Sequence, residues 1–189
     1  MAQTTQTGTV NGVNVDELFK TIDAIKATPG IAKLKFRIAN EWLGGGHNRS
    51  TCKDFHGAHE DIQHATTFVL DADEPPILLG EDRGANPVEY LLHALAACVT
   101  SSMVYHAAAR GIQIEEVEST VQGNIDLRGF LGLDPNIRRG YQDIRMSFRV
   151  KADAPDEQIQ EIVAMGPRFS PVFDSVSNGV PITVTAERM

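Results

Sequence analysis

A cysteine lies in the middle of the most apolar stretch of the sequence, and its thiol is the first candidate for chemistry. Cys98 belongs to "HALAACVTSSM" (residues 93–103) and is one of two cysteines in the chain. Leu91, Leu95 and Ser102 stand at helical spacing from it, so these side chains share one helix face. Because that face is apolar and free cysteines are often buried, a packing role competes with a reactive one. A reactive thiolate this far from the helix N-terminus needs a cation from elsewhere in the fold.

The second candidate is the histidine-rich segment "HNRSTCKDFHGAHEDIQH" (residues 47–64), which also contains Cys52. Histidine and cysteine are zinc ligands, and one hypothesis is a metal-binding module that uses His56 and His59. The segment has no C-x-x-C pair and its spacing is loose, which favours a polar strand edge and loop instead. We therefore expect neither a metal nor a cofactor.

Other motifs point away from common active sites. The glycines at positions 44–46 lack the Lys-Ser/Thr ending of a phosphate loop, and no G-x-S-x-G or H-E-x-x-H is present. Glu89 follows the Asn86-Pro87 pair at the spacing of a helix capping box. It also stands nine residues before Cys98, on the other side of the helix, so capping is its simpler role.

The overall composition excludes several classes of function. The formal net charge is −8, which repels nucleic-acid phosphates. No run of 18 or more apolar residues is present, so we expect no membrane span. The polar start "MAQTTQTGTVNG" does not look like a signal peptide, and two cysteines imply no disulfide framework. The expectation is a cytoplasmic protein with one substantial core, or at most two small ones.

Four helices are predicted from caps and hydrophobic periodicity. The first covers residues 14–28, with Asn14 as its N-cap and "PG" as its stop. The longest begins at Asn86-Pro87 and ends at Gly111, about 35 Å at 1.5 Å per residue. A third begins near Pro155, and a short fourth helix follows Ser170.

Alternation of apolar and polar residues predicts the strands. Leu34, Phe36 and Ile38 indicate a half-buried strand that continues toward Trp42. "ATTFVLDAD" indicates another strand, and further strands are predicted over 117–127, 144–150 and 180–184. With helices and strands in this order, the prediction is one α+β domain with antiparallel pairing.

Three stretches of the sequence together resemble the OsmC/Ohr family of osmotically inducible and organic hydroperoxide resistance proteins. They are "NPVEYLLHALAACVTSSM", "ARGIQIEEVESTVQGNID" and "SPVFDSVSNGVPITV". The resemblance makes residues 1–30 an N-terminal extension with one helix and residues 31–189 an OsmC-like domain. It implies a bacterial protein that forms an intertwined homodimer, with long central helices packed between antiparallel β-sheets.

The resemblance also implies a site, which this sequence matches in part. In the family, a peroxidatic cysteine attacks the hydroperoxide, a second cysteine resolves the sulfenic acid, and an arginine and a glutamate organise the thiolate. Cys98 falls on the peroxidatic cysteine, and Arg49 is the nearest match to the arginine, within a residue or two. The glutamate position holds Val88, and the position of the resolving cysteine holds Ser170.

The implied function is an oxidative-stress role, as a thiol-dependent reductase of small hydrophobic hydroperoxides with a degraded or single-cysteine site. An external thiol would then be the reductant. Cys52 is a weaker candidate for the resolving role, because on a regular strand it faces away from Arg49. The alternative function is a non-catalytic protein that binds a small molecule in an apolar pocket at the dimer interface.

Overall fold

The computed structural model describes residues 8–188, which form helices and antiparallel strands. In chain order the elements are β1 (Thr9–Val10), β2 (Val13–Asn14), α1 (Val15–Ala27), β3 (Lys35–Phe36), β4 (Ala39–Gly44), β5 (His47–Gly57), β6 (Glu60–Ala72), α2 (Pro87–Ala109), β7 (Ile114–Asn124), α3 (Leu127–Phe130), β8 (Asp143–Ala152), α4 (Asp156–Phe169) and α5 (Pro171–Asn178). Short 3-10 turns occur at Pro29–Ala32 and Pro76–Leu78. The predicted α+β class is confirmed, whereas the homodimer stays a prediction.

The chain divides into two compact units. One spans Asn14–Leu91, and the other combines the described residues up to Val13 with the chain from Leu92 onward. The predicted boundary between an extension and a domain at residue 30 stays a prediction.

The first unit is built on a four-stranded sheet with β5 in its centre. Strand β5 pairs antiparallel with β3, β4 and β6. Its connection to β6 is a tight turn in which Ala58 and His59 both have positive φ, at 50° and 69°, as the hairpin turn of matching twist requires. The interpretation of residues 47–64 as an edge and loop is therefore wrong for residues 47–57, which form the central strand. Residues 58–59 are the turn, and residues 60–64 lie on β6, which pairs only with β5 among the described strands.

The predicted half-buried strand at the start of this sheet is wrong in two respects. It is broken into β3 and β4, and its apolar side chains stay exposed. Leu34 is 56% exposed, Phe36 70% and Trp42 70%. Alternation of apolar residues therefore predicted a strand here, but the described chain does not bury these side chains.

The second unit has its core between helix α2 and the β7–β8 hairpin. Met103, Ala107 and Ile162 are fully buried there, and Phe148 and Val150 of β8 pack against them. Helix α2 is long and apolar enough to pass a simple test for a membrane span. The core helix of a soluble protein passes the same test, and one face of α2 lies in this core.

Local capping signals are confirmed at the helix starts. The side chain of Asn14 accepts a hydrogen bond from the Glu17 N–H, and that of Asn86 accepts one from the Val88 N–H. At the other end of α2, Gly111 has φ 71°, which suits a glycine stop.

The last predicted strand does not form in this structure. Residues 179–188 have no regular secondary structure, and Val180, Ile182 and Val184 are 56%, 82% and 87% exposed. Their alternation is typical of a strand, but a strand also needs a neighbour to pair with. No strand within residues 8–188 pairs with this segment.

Candidate functional site

Cys98 lies beside the buried face of helix α2 rather than on it. Leu95, Val99 and Met103 are the buried side chains, at 4%, 1% and 0% exposed. Cys98 is a free thiol of intermediate exposure, and Ser102 is also partly exposed. Cys98 is therefore not among the fully buried residues of this chain, and the choice between a packing role and a reactive one stays a prediction.

Helix α4 packs against α2 through two of its turns. Ile162 contacts the core at Met103 and Ala107. One turn later, an added Cβ at Gly166 would lie 2.8 Å from Cγ1 of Val99. That Ser170 lies next to the Cys98 thiol stays a prediction.

The Ser170 hydroxyl already has a structural role. Ser170 is 2% exposed, and its Oγ accepts a hydrogen bond of 3.1 Å from the Phe173 N–H, which caps helix α5. An N-cap oxygen satisfies a backbone donor that has no partner within the helix. Ser170, which the resemblance matches to the resolving cysteine, thus stabilises a helix start, and it carries no sulfur.

Arg49 lies in the unit Asn14–Leu91 and pairs with a carboxylate that the sequence analysis did not identify. Its Nε is 2.9 Å from Oδ1 of Asp71, and its Nη2 is 3.2 Å from Oδ2. This two-point pairing fixes the plane of the guanidinium. Hydrogen bonds from Arg49, and then from His47, hold the pKa of the Asp71 carboxyl below its ordinary value. The hydrogen bond with Asp71 likewise raises the pKa of Arg49.

His47 is the second partner of Asp71. Its Nε2 is 3.0 Å from Oδ1 of Asp71, the same oxygen that accepts from Arg49 Nε. His47 is 9% exposed, and its Nδ1 is buried without a hydrogen-bond partner among the described residues. The imidazole is therefore held in place by packing and by a single hydrogen bond to the carboxylate.

Val88 and Glu89 both lie in the first turn of helix α2. The Glu89 carboxylate accepts a hydrogen bond of 2.8 Å from the Asn86 N–H, so Glu89 completes a capping box as predicted. The Asn86 side chain also donates to Glu74 at 2.6 Å. Val88 is 36% exposed, and its hydrocarbon side chain cannot pair with a guanidinium. That Val88 lies next to the Cys98 thiol stays a prediction.

Asp73, two residues after Asp71, organises the loop that leads to α2. It is 2% exposed and accepts hydrogen bonds from the backbone N–H groups of Glu74, Glu81 and Arg83. Burial alone would raise its pKa, but these three donors hold the pKa of Asp73 below its ordinary value.

Cys52 lies on β5 opposite Phe68 of β6. On a regular strand His47 and Arg49 share one face and Cys52 points to the other. The strand therefore agrees with the prediction that Cys52 faces away from Arg49. A bulge follows between Cys52 and Asp54. The pairing of Cys52 with Cys98 stays a prediction.

Two of the other histidines of residues 47–64 are engaged in the sheet, and His59 lies in the turn between β5 and β6. His56 Nδ1 is 3.0 Å from Asp61, which also binds Arg37, and the His64 ring lies tilted against Phe55 and edge-on to Phe68. Within residues 8–188, no group of three or more histidine, cysteine or acidic side chains is arranged to hold a metal ion.

The family profile described as OsmC-like protein matches residues 80–185, more than half of the chain. The chain belongs to the OsmC-like family. The matched segment contains helix α2, which carries Cys98, and it continues past Ser170 to residue 185. No match was found among curated proteins.

Solved structures of the same fold cover most of the chain. An OsmC-like protein from Mycoplasma pneumoniae is 19% identical with a TM-score of 0.55, over 76% of this chain and 87% of that one. An OsmC-like protein of unknown function from Vibrio cholerae is 9% identical with a TM-score of 0.57, over 75% and 92%. At these identities the similarity shows the fold.

Proposed function

We propose that this OsmC-like protein acts in oxidative stress as a hydroperoxide reductase that uses Cys98 as its only peroxidatic thiol. The observation that carries the proposal is the position of Cys98: a free, partly exposed thiol beside the buried face of the long family helix. Arg49 is the proposed cation for the thiolate, by resemblance. A small hydrophobic hydroperoxide is the proposed substrate.

The proposed reaction has two stages. The Cys98 thiolate attacks one oxygen of R–O–O–H, the S–O bond forms as the O–O bond breaks, and the alcohol leaves after it takes up a proton. Cys98 is then a sulfenic acid. Because Ser170 has no sulfur, we propose that an external thiol attacks the sulfenic sulfur and releases water. A second external thiol then reduces the mixed disulfide and returns Cys98 to its thiol form.

The proposal includes a homodimer in a bacterial cytoplasm. The exposed large apolar side chains support self-association, because an interface would remove their surface from water. Phe36 and Trp42 of the sheet and Ile182 of the C-terminal segment are each at least 70% exposed. Sedimentation velocity tests this part directly: the expected species has twice the mass of the 20.6 kDa chain. A concentration-independent monomer contradicts it.

The pH dependence of Cys98 alkylation tests the catalytic proposal. In a Cys52→Ser background, an activated thiol should react with iodoacetamide at pH 6 within about tenfold of its rate at pH 9. An ordinary thiol with a pKa of about 8.5 should slow by more than about 100-fold over that range. Prior treatment with cumene hydroperoxide should abolish labelling, and a dithiol should restore it. Slow alkylation that peroxide does not alter contradicts the proposal.

A non-catalytic binding protein is the second candidate, and the capping role of Ser170 favours it. A family member whose resolving position serves helix α5 has kept the fold without the complete redox pair. This candidate predicts that Cys98→Ser leaves ligand affinity unchanged and that the wild-type protein consumes no hydroperoxide when a thiol is supplied. Catalytic consumption that Cys98→Ser abolishes would exclude it.

A further inference from the structure

We propose that Asp71 is the carboxylate that positions Arg49 for the reactive thiolate, in the role that the resemblance assigns to position 88. Asp71 is then a positioning residue, because it acts through Arg49. This inference rests on the proposed function and extends it to a residue on a different element: strand β6 rather than the start of helix α2.

The backbone register of the sheet creates the pair. Arg49 of β5 and Asp71 of β6 are directly opposite each other in the antiparallel ladder. Opposed side chains on one face lie about 5 Å apart at Cβ, within reach of a two-point salt bridge. Both carboxylate oxygens of Asp71 accept from the guanidinium, at 2.9 Å and 3.2 Å. A lysine at position 49 could not reproduce this geometry.

Contacts on the other side of Asp71 fix its main chain. Its carbonyl oxygen accepts a hydrogen bond of 2.7 Å from the Tyr90 hydroxyl of helix α2. Gly84 approaches the same oxygen so closely that an added Cβ would lie 2.0 Å from it. Ala72 also bridges to Ala85 next to this contact. Asp71 is thus tied to the loop before α2 and to the first turns of that helix, which carries the family's catalytic motif.

His47 holds the carboxylate from its buried side. Its Nε2 shares Oδ1 of Asp71 with Arg49, and the imidazole is almost fully buried. Because a carboxylate held by two donors loses rotational freedom, Asp71 presents Arg49 in a single orientation. This second tie distinguishes Asp71 from a simple surface ion pair, which contributes little positional order.

The same sheet provides matched controls. Arg37, Asp61 and His56 form a similar set, but their carboxylate is more exposed: the Asp61 side chain is 59% accessible, against 31% for Asp71. Glu41 is the residue opposite Arg49 on its other side, in β4. Its charge acts on Arg49, and no hydrogen bond between them is part of the described network. Glu41→Gln therefore removes a nearby negative charge and keeps the pairing.

The sign of the effect separates positioning from charge. Removal of a negative charge near the site favours a thiolate, so charge alone predicts faster alkylation at low pH for Asp71→Asn. Loss of positioning predicts the opposite, because the released guanidinium no longer stabilises the thiolate. The two explanations thus give opposite changes in one measurement.

The experiment compares full-length variants in the Cys52→Ser background. Asp71→Asn should slow Cys98 alkylation at pH 6 relative to pH 9, and should lower kcat for cumene hydroperoxide with a dithiol by about 10- to 100-fold. KM should change far less than kcat. Asp71→Glu should restore most of the alkylation rate at pH 6 and most of kcat. Glu41→Gln and Asp61→Asn should keep both quantities within about twofold of the parent. Circular dichroism checks that each variant folds. If Asp71→Asn does not fold, the single variants Asp71→Glu and Tyr90→Phe are compared with the parent in the same two assays.

Each outcome assigns the result to one of the two proposals. If Arg49→Gln slows alkylation at pH 6 but Asp71→Asn does not, the role of Asp71 is overturned and the proposed function stands. If Asp71→Glu is as impaired as Asp71→Asn, pairing is not the cause and the inference is also overturned. If the parent thiol itself is not activated, the proposed function fails and the inference fails with it.

Discussion

Gly166 of helix α4 packs closely against Val99 of helix α2, and Gly166→Ala should destabilise the protein. The added Cβ would lie 2.8 Å from Val99 Cγ1 and 2.9 Å from the Val99 carbonyl oxygen. Real Cβ atoms do not approach so closely, and a backbone oxygen of a buried helix cannot move aside as a flexible side-chain end can. Pro167 adds to the cost, because a proline disfavours the helical conformation of the non-glycine residue before it.

The two opposing terms determine the expected size. Alanine gains about 1 kcal/mol over glycine in a helix interior. Overpacking a dense core costs about 1–3 kcal/mol, and the upper part of this range, about 2–3 kcal/mol, applies here because the clash involves main chain. We therefore expect Gly166→Ala to lower the free energy of unfolding by about 1–2 kcal/mol in urea titrations at fixed protein concentration. Each kcal/mol should lower Tm by about 2–4 °C in a chain of this size.

A control and a double variant isolate the steric cause. Ala164→Gly, on the exposed side of α4, should show only the propensity term, a loss of about 1 kcal/mol. In a Val99→Ala background the penalty of Gly166→Ala should decrease, because one of the two clashing atoms is gone. Gly166→Ala of equal or greater stability than the wild type would refute the close packing of α4 on α2.

Three further predictions concern Ser170 and Asp73. Ser170→Ala should destabilise the protein by about 1 kcal/mol in urea titrations, because the α5 cap is lost; unchanged stability contradicts the capping role. Ser170→Cys should form a disulfide with Cys98 after one equivalent of cumene hydroperoxide, detected by mass spectrometry; two free thiols at that stage contradict the proposal that positions 98 and 170 are neighbours. Asp73→Asn should destabilise at neutral pH, since an amide N–H replaces an oxygen that faces backbone donors. The pKa of Asp73 is lowered in the fold, so its stabilisation exists above about pH 4 and is lost as the pH falls further. The Tm difference from wild type should therefore shrink in acid, and a constant difference contradicts this reasoning.

Helix positions were predictable from the sequence because their signals are local. Asn14, Asn86 and Ser170 are each followed within three residues by the backbone donor that they cap. The glycine stop after α2 is equally local. Such features depend on the chain's own geometry and need no knowledge of distant contacts.

Strand features were predictable only in part, because they depend on partners. The alternation at Phe36 and Val184 indicated which face of each segment is apolar, but not what covers it. The central position of β5 was missed because its polar residues resemble those of a loop. A strand in the middle of a sheet is defined by its neighbours on both sides, and these come from elsewhere in the sequence.

The partner of Arg49 was missed for the same reason. Asp71 stands 22 residues later, and only the register of β5 against β6 brings the two together. That register depends on the turn at Ala58–His59 and on the bulge after Cys52, and a slip of one residue would turn Asp71 to the other face. The sequence contained both residues, but not the pairing that links them.

The central claim is tested most directly by whether the hydroperoxide transfers an oxygen atom to Cys98. The Cys52→Ser protein is mixed with one equivalent of cumene hydroperoxide and with dimedone, which traps sulfenic acids. The account predicts one equivalent of cumyl alcohol and one dimedone adduct on the peptide that contains Cys98, both absent in Cys98→Ser. Hydroperoxide that remains intact, with Cys98 unmodified, would contradict a peroxidatic role and leave the chain as an OsmC-like protein with a different function.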